Sequence, residues 1–138
     1  MNSSATAASG REICVAPGGD DAAAGTKDKP LATLAAAQAA ARAAKAAGHV
    51  TVILREGTYY LPNTLIFGPE DSGRADAPVV YTAAAGEKPV ISGGMKLDLT
   101  WRDYKGPIKQ AAVPRGITTD QLFVNGVAQP GLAYITYL

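Results

Sequence analysis

The sequence predicts a mostly β protein whose short strands turn repeatedly, with one helix near its start. Its longest ordered run, VTVILREGTYYLPNTLIF, alternates apolar residues with others in the period-two pattern of a half-buried strand. Glu56-Gly57 and Pro62-Asn63 interrupt this run, which predicts three strands at residues 50–55, 58–61 and 64–67. No helical pattern separates them, so the run fits either β-hairpins or one coil of a parallel β-helix.

A second run repeats this order. Strand-like residues 79–82 are followed by a glycine-containing corner at 83–88 and by a further strand at 89–94. Placing Val79 beside Val50 gives an offset of 29 residues. Solenoids usually need three or more units, so two copies do not exclude β-hairpins. They nevertheless favour stacked coils.

Several separated blocks support that geometry. REICVAPGGDDAAAGTKDKPLATL, an alanine-rich segment, VTVILREGTYYLPNTLIFGPEDSG, APVVYTAAAGEKPVISGG and QLFVNG follow one another from about residue 12 to 129. In this order they resemble the N-terminal part of right-handed parallel β-helix proteins of the pectin-lyase-like, carbohydrate-active class, especially bacterial glycoside hydrolases. The resemblance implies an N-terminal cap helix followed by the first coils of an incomplete right-handed parallel β-helix.

The resemblance also implies a function. The relatives process polysaccharides, are typically exported, and carry their catalytic carboxylates in later coils. We therefore expect the N-terminal portion of a glycoside hydrolase that is not catalytically complete by itself, and we assign no catalytic residue. A non-enzymatic module for adhesion, surface structure or glycan binding is the alternative, and a polysaccharide lyase parent is a second one.

Composition and charge limit the kinds of partner that we expect for this chain. The net charge is +1 and no run of Lys or Arg is present, which argues against nucleic acid. No apolar run approaches the ~20 residues of a membrane span. Residues 1–10 are small and polar, so we expect a disordered leader without the pattern of a signal peptide.

The single cysteine, Cys14, falls in a predicted strand at residues 12–16, opposite Ile13 and Val15. A nucleophilic role would need a base, and His49 is the only histidine. We interpret Cys14 as an inert, half-buried residue.

The connection at residues 17–30 is rich in glycine and aspartate. Asp20, Asp21 and Asp28 could be interpreted as calcium ligands. The sequence lacks the alternating D-x-D-x-D-G pattern of a calcium-binding loop, however. The spacing and order from Gly19 to Lys27 also fail to match a phosphate-binding loop. Aspartates that hydrogen-bond their own turns explain the segment better, so no metal and no cofactor are predicted.

Residues 34–47 are the predicted helix, because ten of the fourteen are alanine. Thr33 is expected to cap its start and Gly48 to end it. The helical period places Gln38, Arg42 and Lys45 on a polar stripe. The opposite face, Ala36, Ala40, Ala43 and Ala47, suits close packing over the end of the strand stack as a lid, which the resemblance also implies; an ordinary surface helix is the alternative.

Two later segments hold the remaining candidates. The loop at residues 68–78 contains Glu70, Asp71, Arg74 and Asp76, which we interpret as solvated charges rather than an acid/base site. Trp101 and Tyr104 are candidate sugar-stacking residues, with Arg102, Asp103 and Lys105 as candidate hydrogen-bonding neighbours; covering the edge of a core is the alternative.

The predicted domain spans residues 11–130 and ends after a strand and a tight Asn125-Gly126 turn. Residues 131–138 form an atypical tail, which lacks the arginine-rich segment of the relatives. This tail is apolar, uncharged and strand-like. We therefore expect self-association, through either the open end of the coils or the tail.

Overall fold

The computed structural model describes residues 10–117 and 121–129. The predicted tail and nearly all of the predicted leader lie outside these residues. The chain divides into two units, Met1–Met95 and Lys96–Leu138.

The described residues of the first unit form one α-helix and five strands. These are β1 (Arg11–Val15), α1 (Leu34–Ala44), β2 (Val50–Leu54), β3 (Gly57–Tyr60), β4 (Val79–Ala83) and β5 (Pro89–Ser92). Single 3₁₀ turns follow α1 at Lys45–Ala47 and precede β4 at Pro69–Asp71.

All strand pairs in the part of the first unit that the structure describes are parallel. The three-stranded sheet has the order β1-β2-β4, and β3 pairs with β5 in a second sheet. Val50 pairs with Val79, so the predicted offset of 29 residues is confirmed. The strand predicted at residues 64–67 is wrong, since that segment forms no strand.

The second unit consists of two antiparallel hairpins in its described residues. Strand β6 (Arg102–Lys105) pairs with β7 (Ile108–Gln110), and β8 (Phe123–Val124) pairs with β9 (Val127–Ala128). Asn125 and Gly126 both have positive φ, 51° and 79°, as a tight two-residue hairpin turn requires. The turn predicted there is confirmed.

The predicted β-helix is wrong. The described residues form small separate sheets of two or three strands with one helix, and no solenoid of stacked coils. The physical reason for this difference lies in the residues after β5. A solenoid would add a further parallel strand beside β4, whereas the following strands close locally into hairpins at Gly106 (φ 57°) and at Asn125-Gly126.

The core of the first unit lies between α1 and the three-stranded sheet. Ile13, Val15, Val50 and Val52 are at most 1% exposed. Tyr59 of β3 is also buried and joins the same cluster. In β2, buried residues alternate with half-buried ones, as the period-two pattern predicted.

The N-terminal cap of α1 is as predicted, because Thr33 Oγ1 accepts a hydrogen bond from Ala36 N at 3.1 Å. The helix is shorter than the predicted 34–47, since α1 ends at Ala44 and Gly48 (φ 147°) ends the 3₁₀ turn that follows.

The predicted buried face is correct only at Ala36 and Ala40, which are half-buried and pack against the core. The buried residues are Leu34, Ala37, Gln38 and Ala41, whereas Ala43 and Ala47 are exposed. The polar stripe therefore supplies Gln38 to the buried side.

No helix in residues 10–117 and 121–129 is long and apolar enough to cross a membrane.

Candidate functional site

A cleft of about 500 Å³ opens beyond the carboxyl ends of three parallel strands. Because parallel strands end at the same edge, the segments that follow β1, β2 and β4 converge there. The lining residues are Ala16, Pro17, Gly18, Arg55, Glu56, Gly57 and Glu87.

An ion pair crosses this cleft. Arg55 Nε lies 2.8 Å from Glu87 Oε1 and 3.0 Å from Oε2. Glu87 Oε2 also accepts a hydrogen bond from the backbone N–H of Glu56 at 2.6 Å. The carboxylate thus connects the end of β2 to the turn between β4 and β5.

These bonds determine the charge state of Glu87. The hydrogen bond from the Glu56 N–H lowers its pKa, and the Arg55 guanidinium lowers it further. Glu87 therefore stays ionised at neutral pH. It can accept hydrogen bonds from a ligand, but it is a poor proton donor.

Tyr59 and Gly57 fix the strand ends that border the cleft. The Tyr59 hydroxyl lies 2.9 Å from Val15 O and 2.8 Å from Arg55 O, which joins the ends of β1 and β2. Burial raises the pKa of Tyr59. Gly57 has φ 133°, and a Cβ there would lie 2.6 Å from Pro17 Cγ, so the close approach depends on glycine.

A second charged cluster joins α1 to the segment before β4. Arg42 Nε lies 2.6 Å from Asp71 Oδ1, and Arg42 Nη2 lies 2.9 Å from Oδ2. The N–H of Gly68 donates to Asp71 Oδ2 at 2.7 Å. The Asp71 side chain is only 6% exposed, so the prediction that this carboxylate is solvated is wrong.

Hydrogen bonds from Arg42 lower the pKa of Asp71 to about 2, with a further contribution from Gly68 and a smaller one from Gln38. Two other polar contacts fasten the same segment to the helix. Gln38 Nε2 donates to Ile66 O at 2.7 Å, and Lys45 Nζ donates to Ser72 O at 3.1 Å. These internal hydrogen bonds occupy the polar groups of the cluster. The cluster therefore holds the segment against α1 and does not act as an acid catalyst.

The remaining charges of that loop are exposed, as predicted. Glu70, Arg74 and Asp76 have side-chain exposures of 58%, 61% and 80%. Arg74 and Asp76 contact each other at 3.3 Å.

The candidate stacking residues lie in the second unit. Trp101 is 53% exposed and precedes β6, and Tyr104 within β6 is 67% exposed. The register shifts between Asp103 and Lys105, so Tyr104 occupies a bulge, a feature that re-aims side chains. Asp103 forms an ion pair with Lys109 across the hairpin.

Asp20 bonds its own turn, as interpreted, since its Oδ1 accepts from Ala22 N at 2.9 Å. Asp21 does not: it accepts from the N–H of Ala32 and Thr33 and from the Thr33 hydroxyl, each at 2.8 Å, and so joins this connection to the start of α1. No group of three or more potential metal-ligating side chains occurs among residues 10–117 and 121–129.

Cys14 is more buried than predicted, at 6% exposure. Burial raises the pKa of its thiol, with a smaller contribution from Glu12. A raised pKa reduces the thiolate fraction, and only the thiolate is a nucleophile. The inert interpretation agrees with this.

The Arg55–Glu87 pair was missed from the sequence, although a signal existed. The offset of 29 residues aligns β2 with β4, so residues just beyond both strands meet at one edge. Arg55 directly follows β2, and Glu87 lies in the turn after β4. Opposite charges at these positions could have indicated the ion pair.

Comparisons with solved structures place the chain beside carbohydrate-active proteins. A protein titled "Glycoside hydrolase" matches 86% of this chain with 36% identity and a TM-score of 0.78, and 21% of that protein is covered. The structure of XylC in complex with xylose matches 71% of this chain with 29% identity and a TM-score of 0.51, and 14% of it is covered.

Among curated proteins, the uncharacterized protein YwoF of Bacillus subtilis (strain 168) is 41% identical over 85 residues. That match covers 62% of this chain and 16% of YwoF, so the chain spans about a sixth of this relative's length. No family model matches the chain. The structural likenesses support a carbohydrate-active protein.

Proposed function

We propose that this chain is a portion of a polysaccharide-processing glycoside hydrolase and that this portion does not by itself complete a catalytic site. The observation that carries the proposal is the likeness to a glycoside hydrolase over 86% of the chain at 36% identity. An extracytoplasmic location belongs to the same proposal, because most structural polysaccharides lie outside the cytoplasm.

The carboxylates support the second half of the proposal. Glycoside hydrolysis needs a carboxylic acid with a raised pKa to protonate the leaving oxygen, together with a second carboxylate. The pKa values of Asp71 and Glu87 are both lowered. Both groups are held by cations and backbone N–H donors, so their role is to fasten loops.

Turnover assays test this proposal. The chain is incubated with a panel of plant, algal and bacterial polysaccharides, while reducing-sugar release and the absorbance of unsaturated products are followed. We expect neither signal; unsaturated products would instead indicate a lyase. Activity that disappears in Asp71→Ala or Glu87→Gln, but persists in the matched surface variant Asp76→Ala, would overturn the proposal.

A glycan-binding role without catalysis is the second candidate. It is favoured by the exposure of Trp101 and Tyr104, whose sequence neighbours Arg102, Asp103 and Lys105 are charged and also exposed. An aromatic ring can stack on the apolar face of a pyranose, while neighbouring charged groups hydrogen-bond its hydroxyls.

A further inference from the structure

Arg55 has unused hydrogen-bond donors at the cleft beyond the strand ends. Its Nε donates to both oxygens of Glu87, whereas its terminal nitrogens, Nη1 and Nη2, bond to none of the residues that the structure describes. The Arg55 side chain is 40% exposed. A guanidinium is always protonated and carries its N–H donors in a rigid fork. Arg55 can therefore donate to a ligand while it keeps its bond to Glu87.

Glu87 supplies acceptor capacity beside these donors. An ionised carboxylate offers about four acceptor sites. In Glu87, Oε1 accepts from Arg55 Nε, and Oε2 accepts from Arg55 Nε and from the N–H of Glu56. About one acceptor site therefore remains after Glu87 has fastened its turn. Its side chain is 22% exposed, and Glu56 adds a second, exposed carboxylate to the lining.

The rest of the cleft lining is small and uncharged, since it consists of Ala16, Pro17, Gly18 and Gly57. The volume of about 500 Å³ lies within the range of ligand pockets. Such pockets combine an apolar lining with a few polar groups that orient the ligand. The Tyr59 hydroxyl joins the strand ends at the cleft, so this border is formed before any ligand binds.

The charges at the cleft favour a neutral ligand. Arg55 contributes a positive charge, and Glu56 and Glu87 contribute two negative ones. An anion such as a uronate or a phosphate would meet both carboxylates, and a simple cation would meet the guanidinium. A hydroxyl group is both a donor and an acceptor. Two neighbouring hydroxyls of a neutral ligand can thus bond to Arg55 and Glu87 together.

We propose that this cleft is a binding subsite for a neutral sugar unit of a polysaccharide. Arg55 Nη1 and Nη2 donate to hydroxyl oxygens of the sugar, and the remaining acceptor site of Glu87 receives a hydrogen bond from a sugar hydroxyl. The choice of a sugar among hydroxylated ligands rests on the proposed function, whereas the preference for a neutral ligand follows from the cleft itself. The subsite contains none of the aromatic residues of the β6 hairpin.

The test is an NMR titration of the isotopically labelled full chain with cellotetraose, xylotetraose and mannotetraose. The reporters are the backbone N–H signals of Glu56 and Gly57, which line the cleft. We expect at least one of these neutral oligosaccharides to shift both signals saturably, with a dissociation constant of about 1 mM or lower. Trigalacturonate should bind at least about tenfold more weakly, because Glu56 and Glu87 repel its carboxylates.

Three variants distinguish binding at the cleft from an effect on folding. Gly18→Leu adds bulk to the cleft lining at a position where a Cβ meets no atom within 4 Å. Arg55→Lys keeps a cation beside Glu87 but removes the fork of N–H donors. Each should weaken binding at least about tenfold. The matched control Gly93→Leu also adds a Cβ that meets no atom within 4 Å, but outside the cleft, and it should leave the dissociation constant unchanged. Circular dichroism confirms that each variant is folded.

Three results would overturn the inference. These are reporters that no neutral oligosaccharide shifts, equal binding by the wild type, Gly18→Leu and Arg55→Lys, and tighter binding of trigalacturonate than of every neutral oligosaccharide. The turnover assays remain a separate test. Polysaccharide cleavage by this chain would contradict the proposed function and leave the subsite in place, whereas unshifted reporters would overturn the subsite alone.

Discussion

Arg42 and Asp71 form a two-pronged ion pair between residues 29 positions apart, with donor–acceptor distances of 2.6 and 2.9 Å. The pair joins the last turn of α1 to the 3₁₀ turn that precedes β4. Bidentate pairs of this kind add geometric specificity as well as energy. It therefore holds the helix and the incoming β4 segment in a defined relation.

Asp71→Asn should destabilise the first unit at neutral pH, because it removes the charge that holds Arg42 while leaving Arg42 in place. We expect the melting temperature to fall by at least about 5 °C. Thermal unfolding followed by circular dichroism measures this. The matched control is Asp76→Asn, at a carboxylate that is 80% exposed, and its melting temperature should stay within about 2 °C of the wild-type value.

The effect of Asp71→Asn should depend on pH. The pKa of Asp71 is about 2 in the folded chain and 3.8 in the ordinary reference state, so the unfolded state takes up its proton first as pH falls. The stabilisation from this carboxylate is complete above about pH 4 and is lost between about pH 4 and 2. A difference between wild type and Asp71→Asn that stays constant over this interval would contradict the assignment.

The buried face of α1 makes a matched pair of alanine substitutions informative. Ala41→Leu should destabilise the fold by about 1–3 kcal/mol, because Ala41 is 2% exposed and the added volume overpacks the core. Ala43→Leu makes the same change at an exposed position and should alter stability by less than about 0.5 kcal/mol. Urea unfolding measures both, and equal effects would show that the helix is rotated relative to this description.

Gln38 extends this test to a polar contact. Gln38→Leu preserves approximate size but removes the hydrogen bond to Ile66 O, and losing a typical hydrogen bond costs about 0.5–1.5 kcal/mol. Gln38→Glu should be at least as damaging, because it replaces that donor with an acceptor near the Asp71 carboxylate. A neutral Gln38→Leu variant would show that the Gln38–Ile66 bond contributes nothing.

Substitutions at two glycines distinguish the effect of backbone conformation on stability from the effect of close packing. Gly86→Ala changes a residue with φ 77° and no atom within 4 Å of the new Cβ, so it should cost only the conformational term of about 1–2 kcal/mol. Gly57→Ala adds a contact of 2.6 Å with Pro17 Cγ to an unfavourable φ of 133°, and it should cost more. If urea unfolding gave equal losses, Pro17 would not pack against Gly57 as described.

The local features of this fold were readable from the sequence. The register of β2 and β4, the Thr33 cap and the Asn125-Gly126 turn follow from period-two alternation and from residues with specific backbone preferences. The signals for the cap and the turn lie within a few residues of the structure they determine. The register joins residues 29 apart, but it could be recognised because the same strand pattern occurs twice in the sequence.

The features that were missed depend on distant contacts. With ten alanines among residues 34–47, every face of the helix is nearly equivalent in hydrophobicity, so the contact of Gln38 with Ile66 O selects the buried side. Asp71 was interpreted as solvated because its partner is 29 residues away. The stacked coils were extrapolated from two correctly registered repeats, but the residues after β5 form hairpins instead.

Affinity electrophoresis through gels containing individual polysaccharides tests the central claim, a carbohydrate-active chain, most directly. The account predicts that at least one polysaccharide retards the wild-type chain. Trp101→Ala and Tyr104→Ala should each weaken this binding by about tenfold. Tyr60→Ala, an exposed aromatic of the first unit, should leave it unchanged. Migration unaffected by every polysaccharide would contradict the claim, and retardation lost only in Tyr60→Ala would contradict the assignment to the β6 hairpin.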